Sequence, residues 1–331
     1  EHLHLLLPGA SIEDIYFFRV TRNQDLDIDE DDADDLLESL EEELSRRKFG
    51  AAVRMEIEQG VSHQLLDKLM EELEINQGEV FTLNPPLDLT YLFEMYGLDL
   101  PRLKDEPFRS VQPLPIDDID RHDADAFFAT IREGELLLHH PYQTFTSTVT
   151  RFVELAARDP KVLAIKQTLY RTSGDSPIMM ALIEAAKSGK QVLAVIELRA
   201  RFDEQANVRW AKKLEDAGAH VVYGVLGLKT HAKSSLVVRK EESGLTVYSH
   251  IGTGNYNPKT ARIYDDLGIM SADQALGQDL LKLFNHLSGV HSESQYARLL
   301  VAPHGIRSSL VEKIERERRN HLNGLPSRIR W

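Results

Sequence analysis

The sequence predicts a multidomain protein of mixed class, a small α+β head region followed by an α/β domain with a mixed, largely parallel sheet. Three observations carry that expectation. From Pro160 onward, continuous apolar strands alternate with helices, the pattern of a sheet covered on both faces. Before residue 107 the elements are shorter and run strand–helix–strand–helix. Between the two regions, residues 107–118 (P-F-R-S-V-Q-P-L-P-I-D-D) break both periodicities and mark a boundary.

Taken in order, residues 14–20 (D-I-Y-F-F-R-V) predict the first strand. Residues 25–43 then hold twelve Asp or Glu and no Lys or Arg. Leu36, Leu37, Leu40 and Leu44 recur there at helical spacing, so a solvated amphipathic helix is expected. A calcium loop is not, because its central Gly and terminal Glu are missing. Residues 51–57 alternate as a strand, and 64–73 have the helical period. Beyond the boundary, 123–132 is helical. His139 and His140 follow on a short strand, pointing opposite ways in a turn-stabilising role. Strands at 162–166, 191–198 and 220–223 are separated by helices at 177–187 and 205–217, the latter closed by Gly218. His231 and Lys233 open a strand through S-S-L-V-V, two residues apart and so on one face. A partner strand at 245–249 delivers His250 and the loop G-T-G-N. A strand at 266–270, a helix at 274–287, a strand-like run at 296–302 and a charged helix at 308–320 complete the pattern. The chain begins with Glu1 and closes on what reads as a new strand at 328–331, so it is expected to be a piece of a longer protein.

Composition narrows the function classes. Hydrophobic content of 42% and charged content of 28% are those of an ordinary globular protein, and no apolar run is long enough to span a bilayer. The absence of cysteine rules out disulfides and thiolate metal sites, and the cytoplasm is the simplest compartment, with peripheral membrane association left open. The acidic segment accounts for twelve of the fourteen net negative charges, so the remainder is free to bind an anion. No basic stripe or base-stacking aromatic cluster favours nucleic acid.

In α/β sheets ligands sit beyond the carboxyl ends of the strands. Three such ends carry charge, as K-Q-T-L-Y-R from Lys166 to Arg171, E-L-R-A-R from Glu197 to Arg201, and K-T-H-A-K from Lys229 to Lys233. Lys166, Arg171, Arg199, Arg201, Lys229, Lys233, His231 and His250 are therefore expected on one rim. With thirteen histidines in the chain, a lone His means little. H-x-K followed by G-T-G-N is the specific signal. There is no G-x-S-x-G elbow, P-loop or kinase Gly-rich loop, and no third ligand at zinc spacing. What remains is a neutral imidazole among cations, fit to accept a phosphoryl group while Lys and Arg stabilise its oxygens.

H-A-K-S-S-L-V-V with G-T-G-N resembles the half-site of the phospholipase D superfamily, except that Val238 stands where that superfamily has Asp. Longer strings are more specific. I-K-Q-T-L-Y-R-T-S-G-D-S-P, E-L-R-A-R-F-D-E-Q-A-N, G-L-K-T-H-A-K and H-I-G-T-G-N-Y-N-P-K-T-A-R-I-Y-D-D resemble the type-1 polyphosphate kinases, and L-L-L-P-G, F-F-R-V-T-R and L-L-V-A-P-H extend the likeness over nearly the whole chain.

That resemblance implies reversible transfer of the terminal phosphate of ATP to inorganic polyphosphate through a phosphohistidine, with ADP as co-product and Mg²⁺ accompanying ATP. It maps the phosphorylated histidine onto His231 and a second essential histidine onto His250, beside Lys233. Arg171 and Arg201 would hold the phosphates and the magnesium they carry, with Lys166 and Asn255 as further phosphate contacts. Tyr264 maps onto a nucleotide-contacting tyrosine, although the residues alone would place it in the core. The implied organisation is a partial head over 1–116, a first phospholipase D-like domain over 117–298 and the start of a second over 299–331. Because H-x-K occurs once, this chain would hold half of a site and be nearly inactive alone. A homo-oligomer is expected of the full-length protein. The alternatives are a phospholipase D-like phosphodiesterase or nuclease completed by homodimerisation, and a non-catalytic polyphosphate-binding module.

Overall fold

The computed structural model describes residues 3–6, 8–9, 11–12, 14–23, 50–106, 108–172, 174–198, 200, 203–225, 227–290, 295–303 and 305–330. The acidic helix expected within 25–43 lies outside the described residues. Two units form, Glu1–Phe108 and Arg109–Trp331.

The first unit is built on a three-stranded sheet, β1 (Phe18–Arg22), β2 (Ala52–Glu58) and β3 (Val80–Leu83), in that order. β1 pairs antiparallel and β3 parallel with β2, and helix α1 (His63–Leu73) makes the crossover that parallel pairing requires. Ser62 caps α1 by accepting from the Leu65 N–H at 3.3 Å, and Glu74 ends it in the left-handed conformation. Alternation along β2 buries Met55 completely, and Leu66, Leu69, Met70 and Leu73 of α1 cover it. The unit is α+β, as its sequence pattern predicts.

The second unit contains a seven-stranded sheet. Its strands are β4 (Leu136–His140), β5 (Val162–Leu169), β6 (Gln191–Ile196), β7 (His220–Val222), β8 (Ser234–Glu241), β9 (Gly244–Gly252) and β10 (Asp266–Ser271). Their order is β4-β10-β9-β8-β5-β6-β7. The sheet is mixed, but less parallel than expected. Only β5-β6 and β6-β7 are parallel, and the other four pairings are antiparallel. The physical reason lies in the connections. Helices α4 (Pro177–Lys187) and α5 (Glu204–Asp216) separate the parallel strands, whereas two residues join β8 to β9, which forces a hairpin. Helix α2 (Ala124–Glu133), capped by Asp123, and helix α3 (Arg151–Arg158), entered through a π-turn at Thr146–Thr150, lie between the boundary and β5.

Helix α6 (Gln274–Leu287), capped by Asp273, packs Leu280, Leu283, Phe284 and Leu287 against Leu193, Val195 and Leu236 of the sheet. Val238 packs against this cluster, so the position that holds Asp in the phospholipase D pattern is apolar core here. Helix α7 (Ile306–Leu322) follows.

Two strand expectations are corrected. Residues 296–302 form no strand because the N–H groups of Ala297, Arg298 and Leu299 are taken by the Asp279 carboxylate of α6. Residues 328–330 form none either, and the Arg328 N–H donates to Glu317. Among the described residues no helix is long and apolar enough to cross a membrane.

Candidate active site

The carboxyl end of β5 continues into Tyr170 and Arg171, that of β6 into Glu197, and residues 230–233 lead into β8. His231 and Lys233 thus precede the strand rather than opening it. They still converge, because both meet Tyr170. The His231 ring stands edge-on to it with centroids 5.1 Å apart, and the Lys233 ammonium lies 5.0 Å from its centroid. Alternation along a strand does not set their directions. Instead the buried Glu197 accepts from the Thr230 N–H at 2.8 Å, and Thr168 Oγ1 donates to Ala232 O at 2.8 Å and accepts from Ser234 N–H at 2.9 Å. His231 is left exposed, while Lys233 is 6% exposed and donates to the His231 carbonyl at 2.5 Å.

The electrostatics follow from this placement. Burial pushes the Lys233 ammonium down to about 8, with Asp266 opposing the shift and Arg171 adding to it. His231 is lowered by desolvation first, then by the charges of Lys233 and Lys229, against the pull of Glu197. The imidazole exposed in the cleft is therefore neutral at pH 7. Arg171 Nε lies 3.7 Å from Asp203 Oδ2 and has no hydrogen-bond partner, and burial holds the Asp203 carboxyl above its usual range.

The G-T-G-N loop is held by Asp266, which accepts from Thr253 Oγ1 at 2.8 Å. A Cβ on Gly254 would come within 2.5 Å of Asp266 Oδ2, so only glycine allows this close approach. Asn255 Oδ1 is buried without a partner. A cleft of about 550 Å³ opens between residues 229–234, the 251–253 strand end, α6 and Leu299–Ala302.

Two expected members, His250 and Lys166, are elsewhere. His250 is 3% exposed and lies in register with Gln167 and Ser235 across β5, β8 and β9. Its Nδ1 is 2.7 Å from Tyr256 Oη, and burial pushes it down to about 3. Its Nε2 faces the space a Gly268 side chain would fill. It is a buried neutral group and not a wall of the cleft. Lys166 reaches Asn285 at 3.3 Å and lines a separate cleft with Lys190, Gln191, Gly218 and His220 at the amino ends of β6 and β7. A strand side chain three residues short of the carboxyl end cannot turn back to the rim. Tyr264 is 60% exposed, which overturns its core reading and leaves the ring free for a ligand. Arg199 and Arg201 lie outside the described residues. His139 faces out toward Asp265 and His140 inward, bonded to Gln143 O at 2.7 Å, so they stabilise the turn.

Among the described residues no three His, Asp or Glu side chains gather as a metal cage. The cleft instead offers imidazole and cations, the donor set for phosphate oxygens. Comparison with known families agrees. The family model described as "Polyphosphate kinase C-terminal domain 1" matches residues 126–293, and "Polyphosphate kinase middle domain" matches 1–95. The chain belongs to the polyphosphate kinase family. Polyphosphate kinases of Streptomyces coelicolor and Mycolicibacterium paratuberculosis are 53% and 52% identical over 99% of this chain. Both alignments span under half of the relative, 44% and 45%, so the chain spans less than half the length of these curated relatives. The crystal structure of polyphosphate kinase from Porphyromonas gingivalis superposes with a TM-score of 0.71 at 30% identity, covering 98% of this chain and 45% of that one.

Within this polyphosphate kinase site, sequence reasoning missed four residues, Tyr170, Glu197, Asp203 and Asp266. Each lies inside a quoted string: Tyr170 and Glu197 directly follow β5 and β6, Asp203 precedes α5 and Asp266 opens β10, and that position was the available signal. What hid them is chemistry. An aromatic and three carboxylates do not look like phosphate ligands, and here they contact His231, Lys233, Thr230, Arg171 and Thr253.

Proposed function

We propose that this chain carries the phosphoryl-accepting half of an ATP:polyphosphate phosphotransferase, with His231 as the covalent carrier. The observation that supports it best is an exposed, neutral imidazole backed by a buried ammonium, with the Asp266 carboxylate that opposes the ammonium's shift also accepting from Thr253. A ring nitrogen of His231 attacks the terminal phosphorus of ATP. The P–N bond forms as the P–O bond to ADP breaks, and ADP leaves with the electron pair. A terminal oxygen of polyphosphate then attacks the same phosphorus, the P–N bond breaks, and His231 returns neutral. Lys233 and Arg171 stabilise charge on the equatorial oxygens. Glu197 and Tyr170 hold the loop and the ring.

Magnesium enters as substrate, bound to the nucleotide phosphates. Arg171 has donors only and binds those phosphates, not the metal. Arg201 shares that role by family resemblance, and the exposed Tyr264 is the nucleotide-facing ring. His250 is a positioning residue that acts through Tyr256 on the loop after β9. Residues 299–331 opening a second, opposing domain is part of the same proposal. The phosphodiesterase reading has little to draw on, since Val238 places methyl groups where its acid would stand.

The full-length enzyme given γ-labelled ATP and magnesium should acquire acid-labile label at His231. His231→Ala should abolish it. Full labelling of that variant would refute the assignment.

A further inference from the structure

One buried charge takes no part in this chemistry. Asp279 of α6 is 1% exposed, and its nearest cation, Lys282, is half-exposed with its ammonium 4.0 Å away. Its carboxylate instead accepts three main-chain N–H groups, from Ala297 at 3.0 Å, Arg298 at 2.6 Å and Leu299 at 3.0 Å. Burial alone would raise its pKa, yet the three bonds outweigh it and hold the group ionised below the usual carboxylate range. Two weaker ties run from the same helix, Lys282 to Gln295 O at 2.8 Å and Asp273 to Arg298 at 3.7 Å. The next residues, Leu299 to Ala302, line the His231 cleft together with residues 229–234. They belong to no strand or helix, so no ladder of their own keeps them there.

We propose that Asp279 is a positioning residue for the phosphoryl-transfer site: its buried carboxylate docks residues 297–299 on α6 and so sets the apolar wall of the His231 cleft. The apolar cluster beneath cannot do this alone. Leu299 and Val301 pack on it, but hydrophobic contact is non-directional and would tolerate sliding. Three bonds to one carboxylate fix the register of the backbone. The arrangement resembles an N-cap in its chemistry, with an anion collecting consecutive N–H groups, although the segment is not helical.

The role in catalysis rests on the reading of His231 above, whereas the docking itself does not, and the experiment separates them. Hydrogen exchange on this chain should find the amides of Ala297, Arg298 and Leu299 as protected as those inside α6, despite their irregular backbone. Asp279→Asn keeps the shape but turns an amide N–H toward those donors. It should speed their exchange about ten- to a hundredfold while leaving the amides of β8 unchanged. In the full-length enzyme the same variant should raise KM for polyphosphate several-fold with kcat within about twofold, since a displaced wall weakens seating more than chemistry. Fast exchange at 297–299 in the unaltered chain would overturn the docking, and that measurement does not depend on any variant folding. Slow exchange with KM unmoved in Asp279→Asn would overturn the positioning role. Loss of His231 labelling would count against the function alone.

Discussion

Lys233 has an ammonium buried behind the His231 cleft with a pKa near 8, against an ordinary value of 10.5. Folding thus favours its neutral form, and the stability this confers is absent below the folded pKa and appears as pH rises from 8 toward 10.5. An arriving polyanion reverses the preference, because its charge replaces the lost hydration. Polyphosphate should therefore bind with uptake of a proton. If binding restores the pKa to about 10.5, uptake is near zero at pH 6.5, about half a proton at pH 8 and about 0.9 at pH 9. Over the same range the affinity falls, approaching tenfold per pH unit above 8. His231 does not obscure this, since its pKa is already below its ordinary value and it stays neutral at pH 8 and 9. The assay is isothermal titration of long-chain polyphosphate into this chain at pH 6.5, 8 and 9, each in two buffers of different ionisation enthalpy. The slope of observed enthalpy against buffer enthalpy counts the protons. Lys233→Met serves as the reference and should remove the pH-dependent part. Uptake that is the same at all three pH values, or that survives in Lys233→Met, would refute the argument.

Two further outcomes follow from packing. Gly268→Ala should lower stability by about 2 kcal/mol in chemical denaturation, because the new Cβ would lie 2.8 Å from the buried Nε2 of His250 and force the ring off Tyr256; a cost under about 0.5 kcal/mol would mean the ring is free to move. Arg239→Met should cost about 3–5 kcal/mol, lowering the calorimetric midpoint by roughly 10 °C, since Arg239 donates to the buried Asp159 at 2.7 Å, to Glu241 at 2.6 Å and to Asp125, and its loss strands Asp159 in the interior. An unchanged midpoint would show Asp159 finding another partner.

Much of the fold was legible because it rests on local periodicity. Residues 177–187 and 274–287 have helical spacing, and the structure gives helices with those bounds. Apolar runs at β5 and β6 likewise read directly as strands. Pairing direction was harder. The alternation around β5, β6 and β7 suggested a mixed, largely parallel sheet, but the two-residue connection of β8 to β9 makes a hairpin, and a strand does not record its neighbour. The run at 296–302 has a strand's composition and still forms none, since its N–H groups found a carboxylate eighteen residues upstream.

The candidate site divides in the same way. The sequence by itself determined the family, the H-A-K and G-T-G-N strings, and the identity of His231 as the residue to test, because those rest on residue types in a fixed order. Only the tertiary structure decided which of the named groups meet. It set His231 at the surface and Lys233 under it, sent Lys166 toward the amino ends of β6 and β7, buried His250 behind Gly268, and bonded Glu197 to Thr230 and Asp279 to residues 297–299, in segments that line one cleft. The physical reason is that burial and charge environment depend on groups distant along the chain. The spacing of two residues fixes their identity, whereas the solvent and the neighbours around them fix whether they carry charge and whether a substrate can touch them.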